Sequence, residues 1–569
     1  MITKREAIAA AAATALLVAP GCSQKPRSTT AAQVEPIEAE SGAPAMFDAV
    51  PADSPYVFAS LDPLPSDVWE MYGEMLSSIG AFFDVIAAEV AADDATSVEA
   101  RFALALAAEL TENAGKEGLT SIGIDPDPRV VFYGLGAMPV LRVEVSDGAV
   151  LRETIERVEA ESGYELPTRD IAGVPVWWLG EDEAAGVAIV GDELVASFGP
   201  EAALVAAFEV VSGERDVGAT LSESELRELA DAQQASALGF GFLDTRRLAG
   251  LLLGHDAGVQ GAITADFLGG VPEVSDACAS SVDAALAHVP RIALSYPEMS
   301  RERIAMEGVV ETSDDLAELL ASVQTRVPGL SGSFDEPPLF AIGAAADLAA
   351  GARLLERVAA ELRVVGDACD DPELQQVAAE LGAGAAGGIP APLAAVRGGL
   401  FVLQSIDMAQ MSADGYALAG IDGPATLLRL AGSFVPQLAE LDVATDGVFR
   451  PVPSSLTDML PLDLGLSYAV GDSAVAVAAG DGGRSAAEAA MVDVPESSPL
   501  FMMAYDYSTL FGLVLDAMPA GGGPADEASR AVMETLASFF GPMSMRAMPA
   551  ENGLVLESVL ELGAGAASE

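Results

Sequence analysis

Apolar and polar positions along the chain follow one order of elements, and that order occurs twice. Over residues 51–330 the pattern predicts a strand, helices, strands, a helix, a meander with a Gly-Asp hairpin, a helix, a strand, helices and two long strands. The same order returns over residues 331–569. Strands joined by hairpins favour antiparallel pairing. The sequence therefore predicts an α+β fold of two tandem antiparallel-sheet-plus-helices units, with the helices gathered on one face.

The prediction of an internal duplication rests on four pairs of matched stretches. Their order is kept, and their offsets drift only from 283 residues (Pro55 to Pro338) to 250 residues (Arg303 to Gly553), which makes chance a poor explanation. The matched pairs are Pro55-Tyr-Val-Phe with Pro338-Leu-Phe-Ala, Val143-Glu-Val-Ser with Leu418-Ala-Gly-Ile, Val187-Ala-Ile-Val with Leu466-Ser-Tyr-Ala, and Arg303-Ile-Ala-Met with Gly553-Leu-Val-Leu. The breaker-rich stretch 327–338 is the predicted join.

The first 22 residues have the pattern of an export signal. Lys4 and Arg5 precede an apolar run over 7–19 that is too short to span a membrane. Val18-Ala19-Pro20-Gly21 then leads into Cys22, which resembles the lipobox of bacterial lipoproteins. The resemblance implies a signal peptide over residues 1–21 and acylation of Cys22. The alternative is an ordinary signal peptide followed by a structural cysteine.

Residues 22–50 are polar and contain proline, which predicts a tether with a reach of roughly 30 Å. More than one acyl chain anchors a protein stably without a spanning helix. No later stretch reaches 18 apolar residues without a charge or a Gly/Pro interruption. Ser23 after the cysteine favours the outer membrane, by the habit of the lipoprotein family. We therefore expect an exported protein that is lipid-anchored to the bacterial cell envelope.

Composition allows a large core but restricts the partners. Apolar residues make up 51% of the chain and mean hydropathy is +0.36, so wholesale disorder is excluded. Asp and Glu number 86 against 28 Lys and Arg, a net charge of −58. This charge would repel nucleic acid and anionic headgroups. It indicates a solubilising coat, with a cation-binding or halotolerant surface as the alternative.

Cys278 and Cys369 lie in different predicted copies. In an oxidising compartment they could pair, which would tie the copies together and close a loop worth about 4–5 kcal/mol on the chain-entropy model. Two buried free thiols are the equal alternative.

Part of the first copy resembles a family of large, secreted, mostly uncharacterised bacterial lipoproteins. The residues concerned are Ile124-Asp125-Pro126-Asp127-Pro128, the stretch 132–143, the Gly191-Asp192 hairpin and the opening Pro51-Ala52-Asp53-Ser54. The resemblance covers most of the first copy. It implies an exported protein, and it implies neither an activity nor site residues.

Residues with catalytic or metal-binding chemistry are sparse. The only histidines, His255 and His288, lack metal or triad spacing, and no nucleophile elbow, Cys-x-x-Cys or Walker loop occurs. The run 382–387 fits G-x-G-x-x-G, but a helical segment precedes it where the dinucleotide fold needs a strand. No catalytic residue, cofactor or metal site is predicted.

Loop carboxylates lack the spacing of a calcium loop, so turn formation and helix capping are their predicted roles. These residues are Asp125, Asp127, Asp244, Asp367, Asp370, Asp371 and Asp506. Met543 and Met545 alternate on a predicted strand and should share one face. Trp177 and Trp178 should point to opposite faces, one into the core and one onto an exposed binding edge.

The sequence favours a non-enzymatic binding or structural module of the cell envelope, anchored through Cys22. The first alternative is a carrier of a lipid or another apolar ligand between sheet and helices. The second is a hydrolase, which would have to recruit His255 or His288. An envelope protein and an apolar ligand both remain open as partners, and the oligomeric state stays open too.

Overall fold

The computed structural model describes residues 46–63, 65, 68, 98–113, 115–180, 183–233, 235–236, 238–255, 258–271, 274–334, 336–390, 392–407, 412–457, 465–518 and 524–563. The predicted signal peptide, the lipidation site Cys22 and the tether up to residue 45 lie outside the described residues.

Within these described residues, nineteen strands form the framework of the fold. They are β1 Tyr56–Ser60, β2 Val130–Leu135, β3 Met138–Glu144, β4 Thr168–Ile171, β5 Val174–Leu179, β6 Glu183–Val190, β7 Glu193–Pro200, β8 Phe240–Asp244, β9 Arg291–Met299, β10 Arg303–Glu311, β11 Phe340–Ala345, β12 Val396–Asp407, β13 Ser412–Ile421, β14 Arg450–Pro451, β15 Ser467–Val470, β16 Ala474–Ala479, β17 Phe501–Asp506, β18 Phe540–Ala550 and β19 Gly553–Leu562.

Helices fill the connections between the strands. They are α1 Val98–Glu112, α2 Lys116–Ser121, α3 Gly148–Ser162, α4 Glu201–Val211, α5 Glu223–Ala232, α6 Thr245–Leu252, α7 Val259–Leu268, α8 Asp276–Leu286, α9 Asp314–Val323, α10 Leu348–Cys369, α11 Pro372–Ala386, α12 Pro424–Gly432, α13 Ser454–Thr457, α14 Gly480–Val492, α15 Tyr507–Ala517 and α16 Pro524–Phe539. Short 3-10 helices cover Phe47–Ala49, Leu393–Ala395 and Pro436–Glu440.

All strands belong to one sheet, and every pairing is antiparallel. The order across the sheet is β4-β5-β6-β7-β3-β2-β1-β8-β9-β10-β19-β18-β17-β11-β12-β13-β16-β15-β14. The prediction of an α+β fold with antiparallel sheet is therefore confirmed. The predicted Gly-Asp hairpins connect β6 to β7 and β15 to β16.

The strands on either side of β1 and the strands on either side of β11 follow the same order in the sheet. β1 is flanked by β2, β3 and β7 on one side and by β8, β9 and β10 on the other. β11 is flanked by β12, β13 and β16 on one side and by β17, β18 and β19 on the other. The two halves meet where β10 pairs with β19, with Glu307 directly opposite Glu557. We call this pairing the seam.

Each half has its own core on the same face of the sheet. In the first core α4 packs on the strands with Leu204 and Phe208 fully buried. In the second core α14 approaches β13 so closely that a Cβ on Gly483 would stand 2.2 Å from the Gly415 carbonyl oxygen. Val327 and Leu330, which the prediction assigns to the first copy, pack in the second core.

Helices pack on both faces of the sheet, so the expectation of helices on one face is wrong. α3 lies opposite the cores, where Leu151 packs with Val145 and Ile189. The reason is that Ile189 alternates with the core residue Ala188 on β6, which leaves apolar side chains on both faces there.

A disulfide joins the two halves. Cys278 on α8 is bonded to Cys369 at the end of α10, with their Cα atoms 4.4 Å apart. No helix in the described part of the chain is long and apolar enough to cross a membrane.

Candidate functional site

The two faces of the sheet are told apart by strand register. Successive side chains of a strand point to opposite faces, and directly paired residues point to the same face. Val140 and Leu400 point into the cores. We call the opposite side the outer face. One row of paired residues crosses it over six strands: Val477, Ala417, Phe401, Ile342, Met503 and Met545.

The outer face carries no charge over fourteen neighbouring strands, from β7 across the seam to β16. No paired position on this face of these strands is Asp, Glu, Lys or Arg, although charged residues make up 20% of the chain. The charged residues of the four central strands all point to the other face: Arg291, Glu298, Arg303, Glu307, Glu311, Arg546, Glu557 and Glu561.

Large apolar side chains on the outer face are exposed. Phe198 is 58% exposed, Leu556 45% and Phe401 44%. Exposed residues of this kind occur on eight strands of the face: Leu179, Phe198, Ile292, Ile342, Phe401, Val477, Phe501 and Leu556. Extended apolar surfaces are rare on soluble monomers and mark places where a ligand, a membrane or another protein binds.

Aromatic rings and methionines give this face an adaptable surface. The rings of Phe58 and Phe132 lie 6.2 Å apart on the first half, and those of Phe340 and Phe401 lie 6.4 Å apart on the second. Such pairs add binding energy beyond the area that they bury.

The prediction that Met543 and Met545 share one face is confirmed. Met543 and Met545 share the outer face, where Met545 is paired with Met503. Met502 points the other way and is buried in the second core. Met503, Met543 and Met545 are half-buried. Because the thioether side chain is flexible and polarisable, such methionines suit apolar ligands of variable shape.

The two tryptophans point to opposite faces as predicted. Trp178 is buried in the first core, with the Arg169 guanidinium 4.0 Å from the centre of its ring. Trp177 lies on the outer face and packs beside Ile189 and Leu194, below α3. It is part of a packed contact, so it does not form the exposed binding edge that the sequence suggested.

A cleft of about 370 Å³ with both apolar and charged lining residues lies over the seam on the side of the cores. Arg546 Nε donates to Glu557 Oε2 at 2.6 Å, and Arg303 Nη1 donates to Glu298 Oε2 at 2.9 Å. Phe334 of the segment between the halves lines the same cleft. Arg303 Nε also lies 3.6 Å from Glu561 Oε1 across the seam. Since these charges pair with one another, the cleft offers little free chemistry.

His288 is the only predicted candidate with side-chain partners that resemble a catalytic group. Ser313 Oγ donates to Asp315 Oδ1 at 2.6 Å, so the 2.8 Å contact between Ser313 Oγ and His288 Nδ1 has the imidazole as donor. His288 Nε2 then accepts from Arg357 Nη2 at 3.1 Å. The serine proton points away from the imidazole, so this arrangement does not activate Ser313 as a nucleophile.

The pKa of Asp315, the carboxylate beside Ser313, is determined mainly by hydrogen bonding. The Ser313 hydroxyl is the main cause of a pKa of Asp315 below its ordinary value, with His288 and Arg357 acting in the same direction. His255 follows α6 on the surface, where its backbone N–H donates to the Gly250 carbonyl. The two histidines are therefore not brought together.

Four of the seven predicted loop carboxylates act as the sequence predicts, whereas Asp367 lies inside α10 rather than in a loop. Asp244, Asp371 and Asp506 cap the N-termini of α6, α11 and α15 by accepting from backbone N–H groups. Asp125 accepts from the Asp127 backbone in a turn. Among the described residues, no group of His, Cys, Asp or Glu is arranged to hold a metal ion.

The glycine motif is helical, which excludes the phosphate loop it could be mistaken for. Gly382 and Gly384 lie inside α11, and Gly387 follows its last turn. A phosphate-binding loop needs these glycines between a strand and a helix N-terminus.

The outer face was missed by reasoning from the sequence. Each strand taken alone shows alternating residues, but alternation does not say which strands are neighbours. No protein-family model matches the chain, and no curated protein or solved structure matches it either.

Proposed function

We propose that this chain is a lipid-anchored binding protein of the bacterial cell envelope, whose outer face takes up an apolar ligand. The observation that carries the proposal is an outer face whose paired positions are uncharged over fourteen strands and which exposes large apolar residues such as Phe198, Phe401 and Leu556. The proposal joins two predictions from the sequence, namely the non-enzymatic binding module and the apolar ligand of the alternative carrier function.

Export and anchoring are supported by two separate features. The stretch before Cys22 has the pattern of a lipobox, and the polar tether separates it from the folded body. The disulfide between Cys278 and Cys369 belongs to an oxidising compartment such as the periplasm or the cell surface. In this proposal acylated Cys22 holds the protein at the outer membrane.

The proposed body is a duplicated unit. Support comes from the four matched stretches of sequence and from the like strand orders around β1 and β11. Pairing of β10 with β19 makes the two outer faces one surface. Duplication thereby provides a longer apolar surface than one unit has, which suits an extended ligand such as a lipid chain.

Covering the exposed apolar side chains of the outer face with an apolar ligand is energetically favourable. Full burial of a Leu or Phe side chain gives about 1.5–3 kcal/mol. Residues such as Phe401 and Phe501 forgo part of that energy while they are exposed. Covering several of them with one apolar molecule would recover enough to offset the entropy lost on binding.

A titration with a neutral apolar fluorescent probe tests this function. The mature chain carrying Cys22→Ser, which removes the anchor, should bind the probe saturably. Phe401→Asp should weaken binding about tenfold or more, because a carboxylate in the face must be desolvated. Val492→Asp is the matched control, since Val492 is 81% exposed at the end of α14, which packs on the core side.

Equal binding by both variants, with unchanged circular dichroism, would show that the probe binds elsewhere and would contradict the proposal. Absence of saturable binding to the parent chain would contradict it as well. It would leave a structural module as the better interpretation.

A further inference from the structure

The turn between α12 and the 3-10 helix Pro436–Glu440 presents apolar side chains to solvent. Phe434 is 79% exposed, and Leu430 and Val435 are each 43% exposed. We call residues 430–436 the apolar turn. Exposed side chains of this size on one short turn mark a contact with something apolar.

Charge around the apolar turn differs from the rest of the protein. Ten consecutive residues, 430–439, are uncharged, in a chain with a net charge of −58. Arg429, directly before them, is exposed and makes no ion pair within the described part of the chain. The next acidic residue along the chain, Glu440, accepts from Ser455 Oγ at 2.8 Å, and Asp442 and Asp446 both pair with Arg450. Among the described residues, the turn therefore combines apolar groups with one basic residue that makes no ion pair.

The segment after the turn lies on the outer side of the sheet. The Asp442 backbone N–H donates to Tyr468 Oη at 2.7 Å. Tyr468 is paired with Val477, which belongs to the outer face. The turn is therefore next to the end of the apolar surface.

We propose that the apolar turn inserts into the surface of the membrane that carries the anchor. Phe434 would lie among lipid chains and Arg429 at the level of the phosphates, the arrangement that interfacial apolar segments with basic residues adopt. The inference rests on the proposed function, because residues 22–45 of the tether hold the folded body near the bilayer. A turn at this place would connect the outer face with a source of apolar ligand.

The charge of the protein favours a membrane over a second copy of the chain as the partner of the apolar turn. Two copies of a chain with 86 acidic and 28 basic residues repel each other as they approach. A zwitterionic bilayer has no such net repulsion, and its phosphates attract Arg429. The tether adds effective concentration, so a weak contact of one turn becomes populated.

The test uses the full mature chain coupled through the Cys22 thiol to a maleimide lipid in zwitterionic vesicles, so that it does not depend on natural acylation. Phe434→Trp introduces a reporter into the apolar turn, and Val492→Trp introduces one at the control site. Nitroxide lipids quench only indoles that reach the bilayer. We expect strong quenching and a blue-shifted emission for Phe434→Trp, and neither for Val492→Trp.

Equal quenching of the two reporters, or none of either, would overturn the inference. Adding Arg429→Glu to Phe434→Trp should reduce the quenching; an unchanged signal would argue against headgroup contact. Self-association of the soluble chain that is lost with Phe434→Asp would assign the turn to a second copy and also overturn it. Probe binding is measured separately on the Cys22→Ser chain. A negative quenching result would therefore not contradict the proposed ligand site, and a negative probe titration would not contradict membrane insertion of the apolar turn.

Discussion

Arg142 is the largest fully buried side chain among the described residues, and its charge lies in the first core. Its Nε is 3.2 Å from Glu193 Oε2, but the geometry of that contact does not make a hydrogen bond. The guanidinium nitrogens and the Tyr133 hydroxyl are buried without hydrogen-bond partners. A pair of this kind contributes little to stability, because desolvation offsets the attraction between its charges.

Removing one partner of this pair should cost more than removing both. Arg142→Met and Glu193→Leu should each lower the free energy of unfolding by about 3–5 kcal/mol, because each leaves a buried charge alone. The double variant should return to within about 1 kcal/mol of the parent or exceed it. Chemical denaturation of the four proteins measures this; additive losses would show that the two charges are not coupled and would contradict the prediction.

The same pair predicts a dependence on pH. Burial is the main cause of a pKa of Glu193 above its ordinary value, although Arg142 acts in the opposite direction. A carboxyl with a raised pKa in the folded state stabilises the fold below its unfolded pKa, and that contribution is lost as pH rises through the folded pKa. Glu193→Gln should therefore gain stability relative to the parent as pH rises from acid to neutral. A relative loss over this range would mean that attraction to Arg142 outweighs burial.

At the scale of elements, close packing of α14 on β13 depends on glycine. Gly483→Ala should lower the free energy of unfolding by about 2 kcal/mol or more, because the added Cβ would meet the Gly415 backbone, which cannot move aside. Gly512→Ala in α15 is the control: no atom lies within 4 Å of its Cβ position, so it should be neutral or stabilising by up to about 1 kcal/mol. Equal effects of both on thermal unfolding would contradict this packing.

The edges of the sheet explain how so long a sheet avoids pairing with other chains. β4 ends one edge with the exposed charges of Arg169 and Asp170, and β14 ends the other with only two residues, one of them Pro451. Short, charged or proline-containing edge strands are unfavourable templates for further strands.

Many of the secondary-structure elements could be predicted from the sequence. The order of strands and helices, the Gly-Asp hairpins and the caps at Asp244 and Asp506 are local, since each depends on residues within a few positions. The place of β1 between β2 and β8 depends on pairing of Val57 with Tyr133 and with Phe242, 76 and 185 residues further along the chain, which alternation alone does not determine. The outer face, built from that pairing, could therefore not be predicted, whereas the shared side of Met543 and Met545 could.

At the scale of the whole molecule, the disulfide between α8 and the end of α10 links the two halves. Replacing Cys278 and Cys369 by Ser should lower the free energy of unfolding by about 4–5 kcal/mol, because the bridge spans 91 residues. A thiol reductant should reproduce the loss in the parent and leave the variant unchanged. Reductant-insensitive unfolding of the parent would show that the two cysteines do not constrain the unfolded chain.

Native mass spectrometry of the exported mature chain carrying Cys22→Ser, followed by organic extraction, tests the central claim most directly. The account predicts an apolar molecule bound in stoichiometric amount, lost from Phe401→Asp and retained by Val492→Asp. A protein that leaves the periplasm with the mass of the bare chain, and gains none on exposure to envelope lipids, would contradict it.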